Sequence, residues 1–228
     1  GSDLASLKLR AVPDGDDFII NGQKRFSTAA HFSEYIWLAT RTGPDRPKQG
    51  GISLFVADLK APGVGIEPMW TMGGERTNEV FFDNVRVPGY RLVGEFNRGW
   101  QYITEAMALE RFALVIRTAV NRKKFETFLN WVKGAQRQGR PIVKDPMVRQ
   151  KMARLAIELE VLKLFEYVVV DLAMKERIPT IEAAMNKLFG SELEQRINIF
   201  AMEIMGLYGE LQEGSKYAIE DGKFEQDY

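Results

Sequence analysis

The sequence contains no cysteine and only one histidine, His31, and these two scarcities exclude several kinds of chemistry. Without cysteine there is no disulfide, no thiolate nucleophile and no thiolate metal ligand. One histidine does not build a histidine metal cluster, and no group of acidic residues follows metal-ligand spacing. Lysine plus arginine and aspartate plus glutamate both number 31, so no charge excess indicates a nucleic-acid-binding surface.

Long hydrophobic runs are lacking too. The longest apolar stretches, such as FEYVVVDLAM at 165–174, are too short to span a bilayer. The chain starts at Gly1 without an initiator methionine or a signal-peptide pattern. We therefore interpret it as an interior piece of a longer protein, expected in the cytoplasm, or in the mitochondrial matrix if the source is eukaryotic.

Residues 1–95 have the pattern of a β domain. Short β-rich runs alternate with loops of glycine and proline, which is typical of an antiparallel sandwich or barrel with roughly seven strands. The clearest element is DFIINGQKRF at 17–26, where Asn21-Gly22 predicts a hairpin turn between two strands.

Residues 96–228 have the pattern of a helical domain. Strand signals stop after Gly99, and 100–133, 145–178 and 180–208 predict three long helices. Thr180 is the predicted N-cap of the last helix, and Glu182 places a negative charge in its first turn. Helices of this length need each other's apolar faces, so the fold class is α+β with segregated domains, a β domain followed by a helical bundle.

An adjacent glutamate and arginine, Glu110 and Arg111, interrupt the apolar stretch AMALERFALV at 106–115. The helical neighbours of both residues, three and four positions away, are all apolar. One interpretation is structural: Glu110 pairs with Arg117 or with a partner on another helix. The other is chemical, since a carboxylate in apolar surroundings is suited to remove a proton from an acidic carbon. The pattern leaves both open.

Five segments, in order along nearly the whole chain, resemble the acyl-CoA dehydrogenase family. One segment alone is a weak signal, but the shared order and spacing are strong, and FDNVRVP within the third is the most telling part. The segments are GSDLASLKLRAV at 1–12, INGQKRFSTAA at 20–30, GVGIEPMWTMGGERTNEVFFDNVRVPGYRLVG at 63–94, NRGWQYITEAMALERFAL at 97–114 and EIMGLYG at 203–209.

The resemblance implies a flavoprotein that forms a trans double bond between Cα and Cβ of an acyl-CoA thioester. A carboxylate removes the α-proton while a hydride leaves Cβ for N5 of FAD, and the electrons pass to an electron-transfer flavoprotein. The family's fold implies a middle β-barrel or sandwich domain at 1–95 and a C-terminal antiparallel four-helix-bundle domain at 96–228, with an N-terminal helical domain absent. It also implies a homotetramer or dimer of dimers.

At the flavin, the resemblance assigns roles to four residues near the N-terminus. Ser2 matches a position that touches flavin phosphate and acyl-CoA. Phe26, Ser27 and Thr28 match the aromatic-x-Thr flavin-contact motif, in which the ring packs against the isoalloxazine and the threonine hydrogen bonds near N5. The alternatives are an ordinary turn serine and a core aromatic ring.

Further along, the resemblance gives Arg137 as the arginine that reaches the flavin pyrophosphate across a subunit boundary, although a plain surface arginine is the alternative. Arg149 and Gln150 stand where the family often has a His-Gln pair near the flavin.

The later glycine-rich turn keeps one family residue and departs at two. Gly206 matches the family glycine, and Leu207 replaces a second glycine. Glu203 replaces a glutamine that contacts the cofactor of the neighbouring subunit, and a carboxylate there is unfavourable beside a pyrophosphate. This half of the cofactor site is therefore expected to be altered or dispensable.

Two positions are possible for the catalytic base. Most family members place it beyond the position of Tyr228, whereas a minority use a glutamate just before an arginine on the first helix of the C-terminal domain. Glu110 falls on the minority position, with Arg111 as its orienting neighbour.

Two other interpretations of the function stay open. One is an acyl-CoA oxidase or nitroalkane-oxidase-like relative, and the other is a non-catalytic subunit or piece that binds a partner. The 228-residue chain alone is expected to be inactive.

Overall fold

The computed structural model describes residues 3–44, 47–113 and 117–226, with the side chains of 111–113 left outside that description. The chain divides into two compact units, Gly1–Ala106 and Met107–Tyr228. Helix α1 crosses this division, and each unit is described by itself below.

The first unit contains one curled, six-stranded sheet. Its strands follow the order β4-β3-β1-β2-β6-β5, and every neighbouring pair is antiparallel except β1 and β3. Those two are parallel and meet at the single residue pair Arg10 and Arg41. The strands are Arg10–Asp14 (β1), Asp17–Lys24 (β2), Tyr35–Arg41 (β3), Ile52–Asp58 (β4), Val64–Trp70 (β5) and Arg76–Pro88 (β6).

One face of this sheet builds the core of the first unit. Buried side chains recur at every second position where a strand has one face against the core, as at Val85 and Val87 of β6. The largest fully buried members include Ile20, Leu38 and Phe55. The sheet confirms the predicted antiparallel β domain, although it has six strands where roughly seven were predicted and one pair is parallel.

The predicted hairpin turn at Asn21-Gly22 is wrong. Strand β2 runs straight through both residues, and the chain turns instead at Gly15 and Asp16, between the paired residues Asp14 and Asp17. Gly15 has a φ of +62°, which glycine adopts without a steric penalty. Two glycine-containing turn signals compete in this segment, and the register with β6 selects the earlier one.

Gly22 has a different role, at a register shift between β2 and β6. Its φ is +128°, and a Cβ there would lie 3.1 Å from Cα of Leu9. Glycine is needed at this position because the residue just before β1 approaches closely in an irregular part of the ladder.

The helical segments are Gly99–Ala113 (α1), Arg117–Gly134 (α2), Pro146–Met174 (α3), Thr180–Met205 (α4) and Lys223–Gln226 (α5). The first predicted helix, 100–133, is therefore described as α1 and α2, with 114–116 outside the described residues. Two short strands, Gln136–Arg137 (β7) and Arg140–Pro141 (β8), form a small ribbon before α3.

Helices α2, α3 and α4 pack around the core of the second unit. Phe128, Leu162, Leu193 and Ile197 are almost completely buried there, and Phe224 of α5 joins the same cluster. This packing confirms a helical bundle after the β domain.

The helix ends follow local chemistry, with one correction. Asp145 caps α3, since its Oδ1 accepts a hydrogen bond from the Met147 backbone N–H at 2.8 Å. The prediction that Thr180 is the N-cap of α4 is wrong: Pro179 holds that position and makes no side-chain cap. Glu182 lies in the first turn of α4, as predicted.

In the described parts of the chain, no helix has both the length and the apolar character needed to cross a membrane.

Candidate active site

The predicted flavin-contact segment leaves the sheet at the end of β2, and its aromatic residue has an unusual backbone conformation. Phe26 has a φ of +57°, a left-handed conformation that is costly for a bulky residue, and its side chain is 63% exposed. Such conformations persist where neighbouring contacts impose them, and they concentrate at functional sites. The structure thus presents the Phe26 ring outward instead of placing it in the core, which was the alternative interpretation.

A buried asparagine on β6, Asn78, imposes this conformation. Its backbone oxygen accepts a hydrogen bond from Ser27 N–H at 2.9 Å, and its Nδ2 donates to the Ser27 oxygen at 2.9 Å. Its Nδ2 also lies 3.1 Å from Nδ1 of His31, and its Oδ1 accepts from Arg76 Nε at 3.1 Å. Both backbone groups of Ser27 are therefore fixed from the next strand.

A cavity of about 420 Å³ opens beside the segment, within the first unit. Phe26, Ser27 and Thr28 all line it, so the structure brings the three predicted residues together. The rings of Tyr35 and Trp37 on β3 line it as well and are about half exposed.

The cavity fits the ring system of a flavin. None of the described lining residues is acidic, and three aromatic rings offer surfaces for a planar ligand. The Thr28 side chain is exposed and makes no hydrogen bond to the described residues, so its hydroxyl is available to a ligand. Among the described residues, no cluster of histidine, aspartate and glutamate could hold a metal ion.

A second group of predicted residues gathers at one end of the second unit, where α3 begins and α4 ends. Arg137 lies on β7, where its backbone pairs with Arg140 of β8. Its Nη2 donates a hydrogen bond to the Ile204 oxygen at 2.9 Å. Arg149 and Gln150 are exposed in the first turns of α3. An arginine-rich helix start is suited to hold an anion.

This end of the unit carries a cavity with a positive lining. It measures about 470 Å³, and Arg137, Arg140 and Lys144 line it. The one acidic residue of its lining, Asp145, is engaged as the cap of α3. The side chains therefore fit a phosphate-bearing ligand, as the assignment of Arg137 requires.

The neighbouring turn after α4 is less suited to phosphate. Gly206 ends α4 with a φ of +59° and lines a cavity of about 610 Å³ together with Glu203 and Glu210. Glu203 pairs with Lys151 of α3 at 2.7 Å, which offsets one of the two negative charges. Leu207 is largely exposed. The expected alteration of this half of the site stays a prediction.

Glu110 lies on α1 and is exposed in the chain. It makes no ion pair with the described residues, and its proposed structural partner is engaged elsewhere, because Arg117 Nη1 binds Glu194 Oε2 at 3.0 Å. Arg111 belongs to the same helix, but its side chain lies outside the described residues, as does Ser2.

Comparison with known protein families assigns a domain family to each of the two parts of the chain. The acyl-CoA dehydrogenase middle domain matches residues 1–85, and the acyl-CoA dehydrogenase C-terminal domain matches residues 97–225. The chain belongs to the acyl-CoA dehydrogenase family. Its resemblance in five sequence segments is thereby confirmed.

Individual members of the family are similar over the whole chain. Acyl-CoA dehydrogenase FadE26 of Mycobacterium tuberculosis is 33% identical over 236 residues, which cover 99% of this chain and 58% of FadE26. The structure titled Tcur3481-Tcur3483 steroid ACAD matches with a TM-score of 0.91 and 33% identity, over 99% of this chain and 58% of that one. The ChsE4-ChsE5 complex from Mycobacterium tuberculosis matches with a TM-score of 0.89 and 34% identity, over 100% and 58% of the two chains. The chain thus spans less than two thirds of the length of these relatives.

For this acyl-CoA dehydrogenase family chain, the sequence analysis missed four residues around the motif. Lys24, Tyr35 and Trp37 line the motif's cavity, and Asn78 anchors its backbone. Two signals could have indicated the first three. Lys24 stands two positions before Phe26 in the sequence, and Tyr35 and Trp37 alternate along β3, so that these two rings fall on one side of an extended strand. Asn78 has no such local signal.

Proposed function

We propose that the polypeptide containing this chain is an FAD-dependent acyl-CoA dehydrogenase that forms a 2,3-trans double bond in an acyl-CoA thioester. The main support is the cavity that presents Phe26, Ser27 and Thr28 together in a chain of this family. The bound FAD would accept a hydride from the substrate Cβ.

The chain's own residues would have three tasks in that reaction. Phe26 packs against the flavin ring, and the Thr28 hydroxyl donates a hydrogen bond to it. Glu110 takes the α-proton onto its carboxylate, since it stands just before Arg111 on the first helix of the C-terminal domain and has no competing ion pair among the described residues. Arg111 orients Glu110.

Other residues of the chain would hold the phosphates of FAD. Ser2 contacts flavin phosphate and acyl-CoA, as the family resemblance implies. Arg137 binds the pyrophosphate of the cofactor in a neighbouring subunit, with Arg149 and Gln150 nearby and Gly206 at the adjoining turn. The positive lining beside Arg137 supports this assignment.

The same proposal names three partners: the acyl-CoA substrate, an electron-transfer flavoprotein and further subunits. Support for subunits comes from relatives, since two similar structures have titles that join two proteins. One of those relatives is titled a steroid ACAD, so a steroid acyl-CoA thioester belongs beside straight-chain thioesters in any substrate panel.

The test is reconstitution of the full polypeptide with FAD, followed by anaerobic addition of the acyl-CoA panel. The expected result is a yellow protein whose visible flavin band is bleached by at least one thioester. A protein that stays colourless and binds no acyl-CoA would refute the proposal. Peroxide formation in air in place of dye reduction would identify the oxidase alternative. The 228-residue chain by itself is expected to show no turnover.

A matched pair of variants tests the flavin contact. Thr28→Val removes the hydroxyl at nearly constant volume and should weaken FAD binding about 3- to 10-fold, the value of one hydrogen bond. Thr104→Val is the control, because the Thr104 hydroxyl donates only to carbonyls of its own helix. Equal FAD affinity in both variants would refute the proposed hydrogen bond from Thr28 to the flavin.

A further inference from the structure

Lys24 is the last residue of β2, two positions before Phe26, and it lines the same cavity. Its backbone pairs with Val80 of β6, so the rigid sheet fixes where the side chain begins. The family assignment gives no role to this lysine.

The positive charge of Lys24 has no counter-charge in the described structure. No acidic residue is among those that line the cavity. The other cation of the lining, Arg25, is already matched, since its Nε lies 3.1 Å from Oε1 of Glu79. Lys24 makes neither an ion pair nor a side-chain hydrogen bond with the described residues, so the cavity carries one uncompensated positive charge.

This charge is also partly removed from water, since the Lys24 side chain is half-buried. Burial lowers the pKa of the Lys24 ammonium below its ordinary value of 10.5, and no neighbouring group opposes the effect. A desolvated cation without a partner destabilises the folded protein. Residues that carry such a cost are concentrated at functional sites, where a ligand supplies the missing charge.

The rest of the cavity indicates the shape of that ligand. The rings of Phe26, Tyr35 and Trp37 are 63%, 45% and 54% exposed and line the same space. Exposed rings around a cavity favour a planar aromatic ligand. The combination of these surfaces with one unmatched ammonium group fits a planar aromatic ligand that carries negative charge.

We propose that Lys24 is the counter-cation for negative charge on the flavin ring, and that it stabilises the reduced ring more than the oxidised one. This inference rests on the proposed function. With the α-proton held by Glu110, hydride transfer to a neutral oxidised flavin would add one hydrogen and one net negative charge to its ring. The Lys24 ammonium would offset that charge.

The first experiment measures the affinity of the full polypeptide for oxidised and for reduced FAD in the wild type, Lys24→Met and Lys24→Arg. Lys24→Met should bind oxidised FAD normally and lose at least about tenfold in its relative preference for the reduced form, which corresponds to roughly 1.4 kcal/mol. A lower midpoint potential of the bound flavin reports the same loss. Lys24→Arg keeps the charge and should retain most of the preference. Lys60→Met is the control, because exposed Lys60 already pairs with Glu34 at 3.0 Å.

Three outcomes are decisive. If the full polypeptide binds no flavin, the proposed function fails and this inference fails with it. If flavin binds and its potential is the same in Lys24→Met as in the wild type, only the role of Lys24 is refuted. A loss in Lys24→Arg as large as in Lys24→Met would also refute it, because charge would then not be the cause.

The second experiment uses the flavin-free protein and guards against misfolding. Since burial disfavours the charged amine, the penalty is present at neutral pH and decreases as pH rises through the lowered folded-state pKa toward the unfolded value. Lys24→Met should therefore unfold at a higher urea concentration than the wild type at pH 7, by a margin that narrows at alkaline pH. A Lys24→Met protein that is less stable at neutral pH would overturn the claim of an uncompensated charge.

Discussion

At the scale of single residues, Asn78 fixes the backbone of the proposed flavin-contact segment. It is fully buried, and its side chain and backbone both hydrogen bond to Ser27. A buried polar group that loses its partner costs the full desolvation penalty, so these contacts are worth more than exposed ones.

We predict that Asn78→Ala destabilises the protein by about 1 to 3 kcal/mol and weakens FAD binding, because the Ser27 backbone loses one of its two anchors. Urea unfolding and a flavin titration measure the two effects. Asn130→Ala, at an exposed position of α2, is the control and should leave both unchanged. Normal FAD affinity in Asn78→Ala would show that the segment holds its conformation by other means.

Sequence reasoning could propose the candidate site residues whose signal is local. Phe26 and Thr28 belong to a contiguous motif, so both could be predicted. Asn78 is distant in sequence from Ser27, and their contact depends on the register of β6 against β2. Lys24 could be read as one more polar residue of a strand, because its missing counter-charge is visible only once the whole cavity lining is known.

At the scale of elements, one buried arginine at the end of β3 connects segments beyond the single residue pair that joins β1 and β3. Arg41 is 7% exposed and donates from Nη2 to the Ala5 oxygen at 2.6 Å. Its Nη1 donates to the oxygens of Lys48 and Gly50 at 3.0 and 2.6 Å. The arginine thus joins the segment before β1 to the loop before β4, which no strand pairing connects among the described residues.

We predict that Arg41→Met lowers the free energy of unfolding by about 3 kcal/mol, since hydrogen bonds from a charged donor contribute about 1.5 to 3 kcal/mol each and do not simply add. The three carbonyls lose their donor, and the loop at 47–50 should exchange its amide hydrogens faster. Arg10→Met is the control, because Arg10 faces Arg41 in the sheet and is exposed. A loss no larger in Arg41→Met than in Arg10→Met would contradict this account.

Element types could be predicted well, and element ends less so. The change from strands to helices near residue 95 was visible in composition and periodicity. The turn at Gly15-Asp16 was not, because Asn21-Gly22 gives an equally good local turn signal and only pairing with β6 distinguishes them. Likewise, Thr180 has the chemistry of an N-cap, but the backbone already enters the helix there and Pro179 takes the cap position.

At the scale of the whole molecule, the second unit exposes a large apolar surface on α3 and α4. We call it the α3–α4 apolar face: Ile157, Val161, Leu164, Val168, Ile181, Met185 and Leu188. The two helices are adjacent, with the rings of Phe165 and Phe189 centred 5.5 Å apart. The exposed apolar side chains recur three and four positions apart on each helix, and exposed apolar surface of that extent is typical of protein interfaces. It supports the proposal that the protein works as an oligomer.

We predict that Leu164→Glu together with Leu188→Glu dissociates the assembled protein, because charges buried in an apolar interface lose their hydration. Light scattering after size exclusion measures the mass of the assembly, and circular dichroism checks that the helices persist. Asn130→Glu adds the same charge at an exposed site outside the face. An unchanged mass in the double variant would exclude the face as the interface.

The central claim is that this chain supplies a base from its first helix to an acyl-CoA dehydrogenase. Glu110→Gln in the full polypeptide tests it most directly, by the rate at which bound acyl-CoA reduces FAD in a single turnover. Glu105→Gln, on the same helix, is the control. Our account predicts a loss of at least about 100-fold in Glu110→Gln, with FAD and acyl-CoA still bound, and a normal rate in the control. An unchanged rate of flavin reduction in Glu110→Gln would contradict it.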